Sequence, residues 1–237
     1  GTAVYSGALT AFTATGLTNG ATYAFRVCAV DRAGNTSAGT AVTSRAAPEF
    51  TAPTGSVVIN GGARYTRVRA VTLTLAATDA SGVDSMCLSS TTTCSSWQPF
   101  ATSKEYTLGA TAGIAPVYAW FRDTYGNTTA TSVGATIVYD PTAPTNGTVR
   151  SVTAASGTAT LTWSGFADPT SGLDRYIVAE AAGTTPPADC ASGTVTVLGA
   201  VTTTTRTGVS ASAPLAVRVC AVDKAGNVST GATVIAR

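Results

Sequence analysis

Arg218-Val-Cys-Ala-Val-Asp223-Lys-Ala-Gly-Asn227 repeats, with one change, a stretch near the start of the chain: Arg26-Val-Cys-Ala-Val-Asp31-Arg-Ala-Gly-Asn35. A third version, Val117-Tyr-Ala-Trp-Phe-Arg-Asp123-Thr-Tyr-Gly-Asn127, lies between them. In each, an alternating apolar run leads into Asp-x-x-Gly-Asn and then into Thr- and Ser-rich sequence. Period-2 alternation is the signature of a half-buried strand, and Asp, Gly and Asn are turn residues. The pattern predicts one hairpin, written three times.

Working outward, residues 1–45 align with 193–237 without a gap, and 23 of the 45 positions are identical. A second repeat, Thr51-Ala-Pro-Thr54 and Thr142-Ala-Pro-Thr145, marks two junctions, because proline ends a strand and stiffens a linker. These repeats predict three units: residues 1–47, the back half of a domain with three or four strands; residues 48–140, a complete domain; and residues 141–237, a complete domain of the first type. Composition agrees with an all-β fold. Of 237 residues 45 are Thr, 24 Gly and 10 Pro, only 11% are charged, and no long stretch has a 3.6-residue period.

Within that frame, residues 141–237 resemble a fibronectin type III domain of the bacterial secreted kind. The resemblance rests on Ala159-Thr-Leu-Thr-Trp163, Asp168-Pro-Thr-Ser-Gly-Leu-Asp174-Arg-Tyr176 and Arg218-Val-Cys-Ala-Val-Asp223. Residues 1–45 resemble the second half of such a domain, with Tyr23 where these domains place a corner tyrosine; Leu215 stands there in the later copy. Residues 48–140 resemble a bacterial immunoglobulin-like module through Thr74-Leu-Ala-Ala-Thr-Asp79-Ala-Ser-Gly-Val83, Trp97-Gln-Pro-Phe100 and Val117–Asp123. The resemblance implies tandem immunoglobulin-like/fibronectin type III β-sandwiches, the first only a half-domain. Half a sandwich leaves an apolar face open. Other copies of the protein or adjacent modules of a longer chain are therefore expected to complete residues 1–45.

There are five cysteines and no histidine. Cys87 and Cys94 flank Ser89-Ser-Thr-Thr-Thr93, which suits a staple across a loop. The resembling domains join the middle of the sandwich to a late strand, which implies Cys190–Cys220. Cys28 aligns with Cys220, so it is expected to be unpaired by truncation, its partner falling two residues before Gly1; a free buried thiol is the alternative. Two disulfides imply an oxidising compartment, so an extracellular or cell-surface location is expected.

Chemistry is sparsely signalled. Without histidine neither a Ser-His-Asp nor a Cys-His arrangement can be built. The close acidic pairs Asp79/Asp84 and Asp168/Asp174 each sit in one short Gly-containing loop rather than on two cleft walls. Asn60-Gly-Gly62 lacks the lysine and helix of a phosphate loop. No catalytic residue, and no enzyme, is expected. The net charge of +2 and the short run Arg64, Arg67, Arg69, read as a solvated strand face, do not suit nucleic acid. No apolar run is long enough to insert in a membrane.

Acid placement is more informative. In an immunoglobulin-like sandwich the first inter-sheet loop and the repeated hairpin share the end that receives the incoming linker. This gathers Glu49, Asp79, Asp84 and Asp123 at one junction and Asp140, Asp168, Asp174 and Asp223 at the next, oxygen sets suited to Ca²⁺. The competing reading is that Asp-x-x-Gly-Asn is a good turn and nothing more. Asn-x-Ser/Thr triplets begin at Asn35, Asn127, Asn146 and Asn227, and the Thr tracts are candidate O-glycan carriers. Trp120 and Trp163 are expected in cores, and Trp97 is the aromatic to watch for a glycan. The sequence thus predicts a structural segment of an extracellular filament, stalk or surface layer whose modules dock end to end. The alternative is an adhesin or carbohydrate- or surface-binding accessory region of a larger secreted protein.

Overall fold

The computed structural model describes residues 5–8, 10–18, 20–46 and 49–237. Its first element is a hairpin of β1 (Thr22–Val27) and β2 (Thr40–Arg45), an antiparallel two-stranded sheet. Tyr23 Oη accepts a hydrogen bond from the Thr18 backbone N–H at 2.8 Å and ties the entry of β1 to the preceding loop. Three or four strands were expected here; the described residues hold two. The reason is pairing. Residues 11–14 align with a strand of the last unit whose ladder partner has no counterpart in this first unit.

The middle unit has eight strands: β3 (Thr54–Ile59), β4 (Tyr65–Thr66), β5 (Ala70–Thr78), β6 (Val83–Ser89), β7 (Trp97–Pro99), β8 (Ser103–Thr107), β9 (Gly113–Asp123) and β10 (Val133–Tyr139). They form a three-stranded sheet, β3-β5-β8, and a five-stranded sheet, β4-β10-β9-β6-β7. β4 runs parallel to β10. Alternation works as expected from the pleat: Val71, Leu73 and Leu75 point inward from β5, and Ala115, Val117, Ala119 and Phe121 from β9. Phe121 is fully buried and meets Phe100 edge-on. Its ring fills the place a side chain at position 55 would take, since a Cβ on Gly55 would lie 2.4 Å from it. Trp120 is buried too, but on the opposite face of β9, with Cys87 as its cross-strand partner.

The last unit contains β11 (Thr148–Thr153), β12 (Ala159–Ser164), β13 (Leu173–Ala182), β14 (Thr194–Leu198), β15 (Thr203–Arg206), β16 (Leu215–Asp223) and β17 (Ala232–Ala236). Its sheets are β11-β12-β15 and β14-β13-β16-β17. Leaving out β4, the two units have the same strand order: first-second-fifth in one sheet, fourth-third-sixth-seventh in the other. Trp163, Leu161, Tyr176, Val178, Val217 and Val219 form the last core. β16 is apolar on both faces because both are covered. Val217, Val219 and Ala221 face that core, while Cys220 packs on Cys190 and Ala179 on the other side.

Disulfides join Cys87 to Cys94 and Cys190 to Cys220, with Cα–Cα separations of 6.0 and 6.2 Å. Cys28 is free and exposed. No helix among the described residues is long and apolar enough to cross a membrane.

Candidate functional site: the junctions between sandwiches

The repeated hairpin makes the same turn three times. The backbone N–H of Asp31, Asp123 and Asp223 donates to the carbonyl of Asn35, Asn127 and Asn227 at 3.0–3.1 Å, and the glycine N–H returns to the aspartate carbonyl. That glycine has a positive φ of about 90° in each copy, the left-handed backbone for which glycine is the default. Each aspartate then holds its asparagine with both oxygens. In the middle unit Asp123 Oδ1 accepts from the Asn127 N–H at 2.8 Å, and Oδ2 from Asn127 Nδ2 at 2.7 Å. Asp223 holds Asn227 the same way, at 2.9 and 2.8 Å.

That grip aims the asparagine amide at the incoming linker. Asn127 Nδ2 donates to Glu49, at 2.6 Å to Oε2 and 3.2 Å to the backbone carbonyl. Asn227 Nδ2 donates to the Asp140 carbonyl at 2.9 Å. The motif is therefore a socket for the preceding linker as well as a turn. Sequence reasoning placed linker and hairpin at one end but missed this asparagine contact. The signal was that Asn closes all three copies together with the Asp and Gly that the turn itself uses, while the two residues between Asp and Gly vary.

The same ends gather carboxylates. One oxygen each from Glu49, Asp79 and Asp123 lies within 4.8 Å of the others, and Asp140, Asp168 and Asp223 form a matching trio. Asp140 and Asp223 are buried, at 0% and 1% exposure. Among the described residues the ion pairs are Arg175–Asp174 and Arg206–Glu180, so no Lys or Arg pairs with either trio. Backbone and hydroxyl donors take part of the load. Asp168 Oδ1 receives the N–H groups of Thr170, Ser171 and Gly172, and Asp140 receives Thr142 and Ser171. Asp168 Oδ2 is buried without a partner. Three convergent carboxylates with no cation suit Ca²⁺, which prefers carboxylate and carbonyl oxygens.

Asp84 and Asp174 stand outside the trios. Each is the extra residue of a β-bulge, between Val83 and Ser85 on β6 and between Leu173 and Arg175 on β13. A bulged residue leaves the ladder and turns away, here toward solvent. Asp84 is exposed and Asp174 pairs with its neighbour Arg175.

Hydrogen bonding sets the acidity of these groups. Asp31 lies below the ordinary carboxylate range because Asn35 donates to it. Burial would raise Asp123 and Asp140, but donors from Asn127, and from Ser171 and Thr142, outweigh it and leave both lowered. A depressed folded pKa contributes stability above the unfolded value, near 3.9, and loses it as pH falls through the folded value. The melting temperature should hold from neutral pH to about 5 and drop below about 4. A flat profile down to strong acid would show that these bonds contribute nothing.

The last junction has two further contacts. Arg67 Nη1 donates to the Gly226 carbonyl at 3.2 Å, and Lys224 Nζ lies 5.9 Å from the Tyr65 ring centroid. Arg64, Arg67 and Arg69 are all exposed, as expected of a solvated face, and two of them also make contacts. Arg67 reaches the next hairpin, and Arg69 donates to the Leu108 carbonyl at 2.8 Å. Trp97 is half-buried under the Arg122 guanidinium, 3.9 Å from its ring centroid. Of the glycosylation triplets, Asn127 and Asn227 spend their amides in the sockets, and Asn146 donates to Thr230.

The fold is all-β: two tandem sandwiches with the immunoglobulin-like/fibronectin type III strand order, preceded by a two-stranded hairpin. No protein-family model matches it and no curated protein matches it. Solved structures similar to it include the FN1-FN3 domains of chicken CNTN1, at 16% identity and TM-score 0.45, covering 93% of this chain and 79% of that one. Fibronectin(III)-like modules of Clostridium thermocellum CbhA match at 17% and 0.45, covering 76% and 92%. A run of titin domains matches at 16% and 0.46, covering 94% and 84%.

Proposed function

We propose that the chain is a structural segment of an extracellular array, a filament, stalk or surface layer, whose modules 1–47, 48–140 and 141–237 dock end to end. The observation that carries this reading is that both junctions use one device: the hairpin asparagine receiving the carbonyl of the incoming linker. A device repeated between modules of two types serves their serial order better than any one module's stability. Two disulfides support an oxidising compartment. Electron micrographs of the secreted material from the source cell test the reading. Regular polymers are expected; a monodisperse monomer contradicts it.

Calcium at the two acidic trios belongs to the same reading, since a cation there would tie linker, first loop and hairpin together. Binding to the folded state alone stabilises by about 2.7 kcal/mol at a hundredfold excess over Kd. The melting temperature should therefore rise in calcium and fall on chelation. Identical melting in calcium and in EDTA removes the metal and leaves the hydrogen-bonded sockets as the junction.

A further inference from the structure

The first hairpin can be compared with its own repeat. Positions 23–45 correspond to 215–237. Val219 and Val222 are 0% exposed in the last sandwich, while the matching Val27 and Val30 are 73% and 65% exposed. Identical residues at identical positions are core in one copy and surface in the other. Four specific interactions are absent along with that burial. β16 pairs with β13 along one edge; the same edge of β1 has no ladder among the described residues. Cys220 is bonded to Cys190; Cys28 is free. Arg218 donates Nη1 to the Thr230 carbonyl and Nε to the Pro187 carbonyl, whereas Arg26 keeps only the first of these, to Ala38 at 2.9 Å. Asn227 holds the Asp140 carbonyl, whereas Asn35 is gripped by Asp31 but holds no linker among the described residues.

All four missing partners fall, in the last sandwich, between positions 140 and 190. The thiol is already aimed for its bond. A Cβ on Gly39 would lie 2.5 Å from Cys28 Sγ, and one on Gly231 would lie 2.7 Å from Cys220 Sγ, so the two sulfurs share one orientation.

The geometry points to one occupant for this face: a sandwich front half of the same chemistry as residues 140–192. It lays an antiparallel strand along the open edge of β1, seats a linker carbonyl on Asn35, and closes a disulfide with Cys28. The bond forms by two-electron oxidation of two thiols, with loss of two protons, to a disulfide acceptor of the kind present in any oxidising compartment. A second intact copy is a poor occupant, because its own front half is filled by β16 and β17, and exchange exposes as much as it buries. This inference rests on the array reading and names what docks at its first module.

The test is a longer chain in which a copy of residues 140–192 is joined ahead of Gly1, as Ser192 joins Gly193. In the 237-residue chain one thiol, Cys28, should alkylate readily. In the extended chain none should, the intact mass should show a third disulfide, and the amides of Val27 and Val30 should gain the hydrogen-exchange protection of Val219 and Val222. A variant with Cys190→Ser in the added copy separates docking from the covalent bond; it should keep the amide protection with Cys28 reduced. Unchanged alkylation and exchange, with the two existing disulfides formed, overturn the proposal while leaving the sockets at Asn127 and Asn227 untouched. So does a dimer of the 237-residue chain in which Val27 is already protected.

Discussion

Phe121→Ala should destabilise the middle sandwich by about 3–5 kcal/mol, the range for removing a fully buried aromatic ring. Phe121 is 0% exposed and stands between the two sheets. One wall of its site is Gly55, which has no side chain to move into the void, and another is Phe100, held edge-on at 5.9 Å between centroids. A site that collapses poorly belongs at the upper end of the range. Set against a usual total of about 5–15 kcal/mol, the loss should drop the midpoint of the middle unit well below that of the last and split chemical denaturation into two transitions. A shift under about 1 kcal/mol would mean that the ring is not packed as described.

Replacing Cys190 and Cys220 together with Ala should cost the last sandwich about 3–4 kcal/mol, the loop-closure estimate for a separation of 30 residues. Both cysteines are buried, so Ala on both sides leaves no polar atom to satisfy. The same change at Cys87 and Cys94, separated by 7, should cost about 2–2.5 kcal/mol. Guanidinium midpoints of the two double variants give the order directly. An equal or inverted order would mean that local packing, rather than restriction of the unfolded chain, sets the contribution of these bonds.

Much of the fold could be read from residues because the informative patterns are local. Arg218–Asp223 alternates core-facing Val219 and Ala221 with Cys220 on the other side, and that parity survives whatever packs against it. Asp-x-x-Gly-Asn needs only its own five residues to turn. What escaped reading depends on partners far along the chain. The bulges that turn Asp84 and Asp174 outward are set by the register of β6 against β9 and of β13 against β16. The contact from Asn227 to Asp140 spans 87 residues and exists only once the linker is in place. Three or four strands were expected in residues 1–47, yet a strand needs a ladder, and repeat alignment supplies none.

The central claim is that the hairpin asparagine fixes one sandwich to the next. Backbone ¹⁵N relaxation of the full chain tests it most directly. The sandwiches β3–β10 and β11–β17 should tumble with one shared correlation time in the native protein. They should separate into two in Asn227→Ala, which loses the bond to the Asp140 carbonyl and costs about 0.5–1.5 kcal/mol at the junction. Native sandwiches that already tumble independently, with no change on substitution, would contradict the account.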